Sequence, residues 1–149
     1  MAPTTSDHDF IRSCIARYCI GVDLRDWTTF SSAFTDTAKV TFPGSGGTIE
    51  GIDALKMAVQ GMVGNLQTLH ALSTQIIEIT GEGTAEATTY SRADIFGVGE
   101  DKGKLVTNWG IYRDKLVRGI FDGREDWRIA ERNSVVAAPP HGDLSLLRM

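Results

Sequence analysis

The chain has 149 residues, a hydrophobic share of 42%, a charged share of 23% and a formal net charge of −4. That length suits one domain with a buried core and a small internal pocket. The acidic balance excludes a nucleic-acid binder, which needs a basic face, and no apolar run approaches the roughly 20 residues of a membrane span.

The opening Met1-Ala2-Pro3-Thr4-Thr5-Ser6-Asp7 lacks the basic start and apolar stretch of a signal peptide, so a cytoplasmic protein with no membrane partner is expected. Residues 1–7 read as a disordered N-terminus ending at an N-cap, Ser6 or Asp7. Phe10, Ile11, Cys14, Ile15, Tyr18, Cys19 and Val22 then follow helical spacing, and Asp23 falls at the edge of that apolar face, where a carboxylate is half buried. Gly21 within the pattern costs about 1 kcal/mol relative to alanine and marks a place where a neighbour or a ligand approaches the backbone. Cys14 and Cys19 point to different azimuths of this helix, which disfavours a disulfide. With no CxxC pair or His/Cys cluster there is no metal site, and both cysteines read as small core residues.

A second, short helix carries Trp27, Phe30 and Phe34, and Asp36-Thr37 turns the chain into a strand from Ala38 to Phe42. Pro43-Gly44-Ser45-Gly46-Gly47 is a flexible turn; it lacks the Gly-Lys-Ser/Thr ending of a phosphate loop. A third helix, about Gly51 to Val63, places Ile52, Leu55, Val59, Met62 and Val63 on one face. After Gly64-Asn65 the period changes to two. The spacing predicts strands at His70–Thr80, Thr84–Phe96, Lys104–Leu116 and Asp126–Asn133, joined by Gly81-Glu82-Gly83, by Gly97–Gly103 and by the Asp122-Gly123 turn. Helices first and antiparallel strands afterwards predict an α+β fold, with the helices packed on one face of a curved sheet. Residues 8–134 form the domain. Residues 135–149, with Pro139-Pro140, read as a C-terminal tail whose Leu144, Leu146 and Leu147 dock on the body or on a partner subunit.

His70 stands apart from His8 and His141, which lie in the terminal segments. Imidazole both takes and returns a proton near neutral pH, and pairing with Asp23 or Asp94 would fix its tautomer. Tyr18 is either core or a donor to a substrate carbonyl; a preorganised donor there is worth roughly 3–4 kcal/mol of barrier. Tyr90, Arg92, Asp94 and Phe96 share one face of a strand. Facing inward, Asp94 is a buried acid; facing outward, it forms a surface ion pair of little weight with Arg92. Trp109 and Tyr112 have opposite parity, so only one of them lines the pocket. Asp26, Asp36 and Asp114 read as caps or turn acids, and Trp127 and Ile129 as core. Phe30, Phe34, Met62, Leu66 and Leu69 read as cavity walls or core, which suits an apolar, polycyclic or terpenoid ligand.

The order of elements carries a set of landmarks: Tyr18-x4-Asp23-x2-Asp26-Trp27, Phe34-Thr35-Asp36, Gly51-Ile52, Thr68-Leu69-His70, Ile79-x-Gly81, Ala85-x-Ala87, Gly110-x-Tyr112-x-Asp114 and Trp127-Arg128-Ile129-x-x-Arg132. Over residues 8–134 this pattern resembles the SnoaL-like branch of the nuclear-transport-factor-2-like superfamily, closest to the scytalone-dehydratase and bile-acid-dehydratase type. The resemblance implies three N-terminal helices on the concave face of a cone-shaped, curved antiparallel (mixed) sheet enclosing a pocket, and a cofactor-independent lyase or isomerase acting on a hydrophobic hydroxylated carbonyl compound of polyketide, terpenoid or steroid type. It implies Tyr18, Asp23, His70 and Asp94 as catalytic positions, with Asp94 near the place of a second histidine in scytalone-type sites. It also implies Arg132 as a pocket arginine and a homo-oligomer, dimer or trimer; Trp109, Tyr112, Phe30 and Leu69 are the further candidate substrate contacts read from the residues themselves. An Arg92-x-Asp94 pair is similar to the limonene-epoxide-hydrolase branch, but Val40-Thr41-Phe42 lacks the Tyr-x-Asn that branch needs. A carboxylate-based isomerase or cyclase, and a non-catalytic binding module, are the alternatives.

Overall fold

In a computed structural model describing residues 5–44 and 46–147, helix α1 spans Asp7–Asp23. Ser6 caps it by accepting a hydrogen bond from the Asp9 amide, and Ile11, Cys14, Ile15, Tyr18, Cys19 and Val22 form its buried stripe. Helix α2, Trp27–Ser31, is capped by Asp26, and helix α3 is Ile52–Val63. Of the expected disordered N-terminus, residues 1–4 lie outside the described residues, while Asp7 is already helical and accepts a hydrogen bond from the Trp127 indole at 2.9 Å. Among the described residues no helix is long and apolar enough to cross a membrane.

The strands are β1 (Phe34–Thr41), β2 (Thr48–Glu50), β3 (Gln67–Gly81), β4 (Thr84–Phe96), β5 (Leu105–Phe121) and β6 (Arg124–Gly142). They form one six-stranded sheet in the order β2-β1-β6-β5-β4-β3. All pairings are antiparallel except β1 with β6, so the sheet is mixed. Helix α1 packs across β3 and β6, and α3 against β1. The architecture is the expected α+β one. Its core brings the α1 stripe together with Phe30, Phe34, Leu55, Val59, Leu116, Trp127 and Ile129. Phe34 starts β1 instead of closing the second helix, because the hydrogen bond from the Ile129 amide to the Ala33 carbonyl already pulls the chain onto the sheet there.

Residues 135–142 are strand, which corrects the expectation of a tail. Strand β1 pairs with β6 only as far as Asn133. Beyond it β6 bonds to β5 alone, from Ser134↔Tyr112 to Gly142↔Val106. A strand edge tolerates proline, which cannot donate to a second neighbour, so Pro139-Pro140 does not end the sheet. The following turn folds Leu146 into a small cluster with Leu66 and Val106.

Candidate active site

Asp23 ends α1 and His70 lies one alternation beyond Thr68 at the start of β3, so both β3 side chains face the helix. The Asp23 carboxylate gathers three donors. The His70 backbone amide reaches Oδ2 at 2.7 Å, and the His70 Nδ1 lies 2.6 Å from Oδ1. The Thr68 hydroxyl donates to Oδ1 at 2.9 Å. Burial works to raise this carboxyl's pKa, but the bonds from His70 and Thr68 outweigh it and hold Asp23 below its ordinary value. An ionised carboxylate only accepts, so the His70 Nδ1 is the donor to Asp23, and Nε2 is the ring nitrogen not bonded to that carboxylate.

His70 opens onto a cavity of about 360 Å3. The helices and the loop after β1 supply Val22, Phe42, Val59, Met62 and Val63, while the sheet supplies Ser91, Ala93, Asn108, Trp109, Tyr112 and Ser134. Val136, Ala138, Pro140, Leu146 and Leu147 close the side formed by the end of the chain. Among the described lining residues the titratable ones are His70, Tyr18 and Tyr112, and no Asp, Glu, Lys or Arg is present. Tyr18 packs edge-on to His70 at 6.0 Å and to Tyr112 at 5.8 Å. Burial pushes the Tyr18 phenol up to about 12, with the Arg132 cation opposing. Burial likewise holds Tyr112 well above its ordinary value, so both phenols stay protonated and able to donate.

Tyr18, Asp23 and His70 therefore meet, and Asp94 does not join them. On β4 the inward positions are Ser91, Ala93 and Ile95; Asp94 points to the other face, taking hydrogen bonds from Thr107 at 2.5 Å and Arg92 at 3.3 Å. Its neighbour across the ladder is Leu69, which is 58% exposed and also lies outside the cavity. Phe30 is wholly buried behind Tyr18, at 5.6 Å between ring centroids, and is core rather than cavity wall. Arg132 makes a bidentate ion pair with Asp114 at 2.7 and 3.0 Å, between the Tyr112 and Tyr18 rings at 4.0 and 4.6 Å. It backs the cavity tyrosines instead of facing a substrate, and Asp114 is its buried partner rather than a turn acid. Asp26 is a cap, as expected.

Trp109 and Tyr112 both line the cavity. Both border it even though β5 pairs with β4 without a shift, with Tyr112 opposite Thr89 and Trp109 opposite Arg92; the extra residues of the β5–β6 ladder lie on β6, facing Thr107 to Gly110. Sequence reasoning passed over Thr68, Ser91 and Asn108. Thr68 shares parity with His70, and that was the signal available. Asn108 sits in one ladder row with Ala93 and His70, a placement that only the register reveals.

An open mixed sheet with helices over a cavity holding an Asp–His pair defines the class, and a family model agrees with it. The SnoaL-like domain matches residues 3–133, and the chain belongs to that family. The terrestric acid biosynthesis cluster protein E of Penicillium crustosum is 27% identical over 132 residues, covering 87% of this chain and 82% of that one. A candidate scytalone dehydratase from Novosphingobium aromaticivorans superposes with a TM-score of 0.76 at 19% identity, covering 91% of this chain and 87% of the other. A hexachlorocyclohexane dehydrochlorinase from Novosphingobium barchaimii gives 0.73 at 17%, covering 95% and 93%.

Proposed function

We propose that the chain is a cofactor-independent lyase of the dehydratase type, acting on an uncharged hydrophobic carbonyl compound that bears a hydroxyl group. The observation that carries this reading is the Asp23–His70 pair opening into a cavity whose described lining is otherwise apolar or neutral. His70 Nε2 takes the proton from the carbon beside the carbonyl, and the electron pair moves onto the carbonyl oxygen as an enolate. Tyr18 or Tyr112 donates a hydrogen bond to that oxygen. As the enolate collapses, the carbon–oxygen bond of the neighbouring hydroxyl breaks. The departing oxygen takes the proton from the His70 imidazolium and leaves as water, and His70 returns to its starting state. Asp23 balances the imidazolium throughout. Both Asp23 oxygens are occupied by His70 and Thr68, which argues against Asp23 as the base of an isomerase or cyclase.

Dehydratase and dehydrochlorinase, the activities named for two structural relatives, are both eliminations, and the fungal relative is named for a biosynthesis cluster. These support the reaction class. The β-hydroxy derivative of α-tetralone is a suitable probe, because loss of water yields fluorescent naphthol. Naphthol formation should fall by about 10²- to 10⁴-fold in His70→Ala, the usual contribution of a positioned acid–base group. A folded His70→Ala variant as active as the parent would remove the mechanism.

A further inference from the structure

The end of α1 has an unusual residue at the position where a helix stops. The Arg25 amide bonds to the Val22 carbonyl and the Asp26 amide to the Gly21 carbonyl, the paired bonds that close a helix through a left-handed residue. That residue is Arg25, with φ +56. Glycine is favoured there, because a β-carbon crowds the following carbonyl oxygen in this conformation. Strain kept at one residue invites the question of what its side chain does. The guanidinium folds back onto the start of β3, donating to the Val22 and Leu66 carbonyls and, at 3.2 Å, to the Thr68 hydroxyl.

The direction of these bonds is fixed. Arginine can only donate, and a hydroxyl has a single proton. Thr68 therefore accepts from Arg25 and must spend its proton on Asp23 Oδ1. We propose that Arg25 and Thr68 are positioning residues that orient the Asp23 carboxylate as the fixed acceptor of the His70 Nδ1–H, leaving Nε2 bare toward the cavity. The inference rests on the base role given to His70 above. It adds that the atom acting as base is selected by a chain of donors running Arg25, Thr68, Asp23, His70. Neither Arg25 nor Thr68 needs to touch the reacting atoms.

The test reads the His70 ring directly by proton NMR of the full chain, with His70→Gln used to assign its signal. The parent should show a downfield, slowly exchanging Nδ1–H. In Thr68→Val that proton should exchange about five- to tenfold faster, the scale of one hydrogen bond, and Thr68→Ser should restore it. Arg25→Gly should reproduce Thr68→Val with no fall in thermal midpoint, since glycine relieves the left-handed residue. The double variant should exchange no faster than Thr68→Val alone, because Arg25 acts through Thr68. Unchanged exchange in both single variants would overturn the inference. So would an Arg25→Gly effect that follows a lowered midpoint and that Thr68→Val does not share. No substrate is needed, so this failure is distinct from failure of the lyase reading, which His70→Ala turnover decides.

Discussion

Arg132 and Asp114 carry opposite charges into a dry part of the sheet, with their side chains 1% and 0% exposed. Burial works against the Arg132 charge, but Asp114 at bonding distance holds it firmly protonated. Removing one partner would strand the other: Arg132→Met should cost about 3–5 kcal/mol in urea unfolding, and Arg132→Met with Asp114→Leu should recover most of that loss. Asp23 makes a different prediction. Its folded pKa lies below the ordinary 3.8, so its contribution to stability is present above that value and lost as pH falls through the depressed one. Urea midpoints measured down the acid range should therefore fall less steeply in Asp23→Asn than in the parent. Equal slopes would mean that the His70 and Thr68 bonds do not stabilise the carboxylate.

Gly21 on α1 lies against Phe30 of α2. A β-carbon there would lie 2.5 Å from the Phe30 backbone nitrogen, so a neighbour does approach the backbone, as the glycine within the helical pattern foretold. Gly21→Ala gains helix propensity yet forces the two helices apart, and a net loss of about 1–3 kcal/mol in chemical denaturation is expected; a more stable variant would contradict the packing. The hairpins were equally legible, since Asp122 and Gly123 both adopt the positive φ that their type of turn requires. What the sequence hid depends on contacts between strands. Nothing local says that β1 stops pairing at Asn133 and leaves the rest of β6 as an edge, or that β6 carries extra residues where it faces Thr107 to Gly110. The Arg132–Asp114 pair joins residues 18 apart across a ladder. Asp94 had two faces open to it, and only the fold chose between them. Tyr18, Asp23 and His70 were readable because each lies on a helix or strand whose apolar face the sequence marks.

The two faces of the sheet serve different ends. On the outer face Glu50, Lys39, Glu131, Lys115 and Glu86 fall in one row across β2, β1, β6, β5 and β4 with alternating sign, and Glu78 on β3 ends the row with a like charge opposite Glu86. Such exposed pairs add little stability one by one. On the inner face the charges are withdrawn: Arg132 is tied to Asp114, and Asp23 is turned toward His70. Among the described lining residues this leaves one imidazole and two phenols as the titratable groups, the setting that the proposed removal of a proton from carbon requires. The most direct measurement is the exchange of the carbon-bound protons beside the carbonyl of α-tetralone in deuterium oxide, followed by NMR. This ketone has no leaving group, so its exchange isolates the proton-transfer step. The parent should accelerate exchange over buffer, with His70→Ala at the buffer rate and Asp23→Asn between the two. Exchange in folded His70→Ala as fast as in the parent would contradict the account.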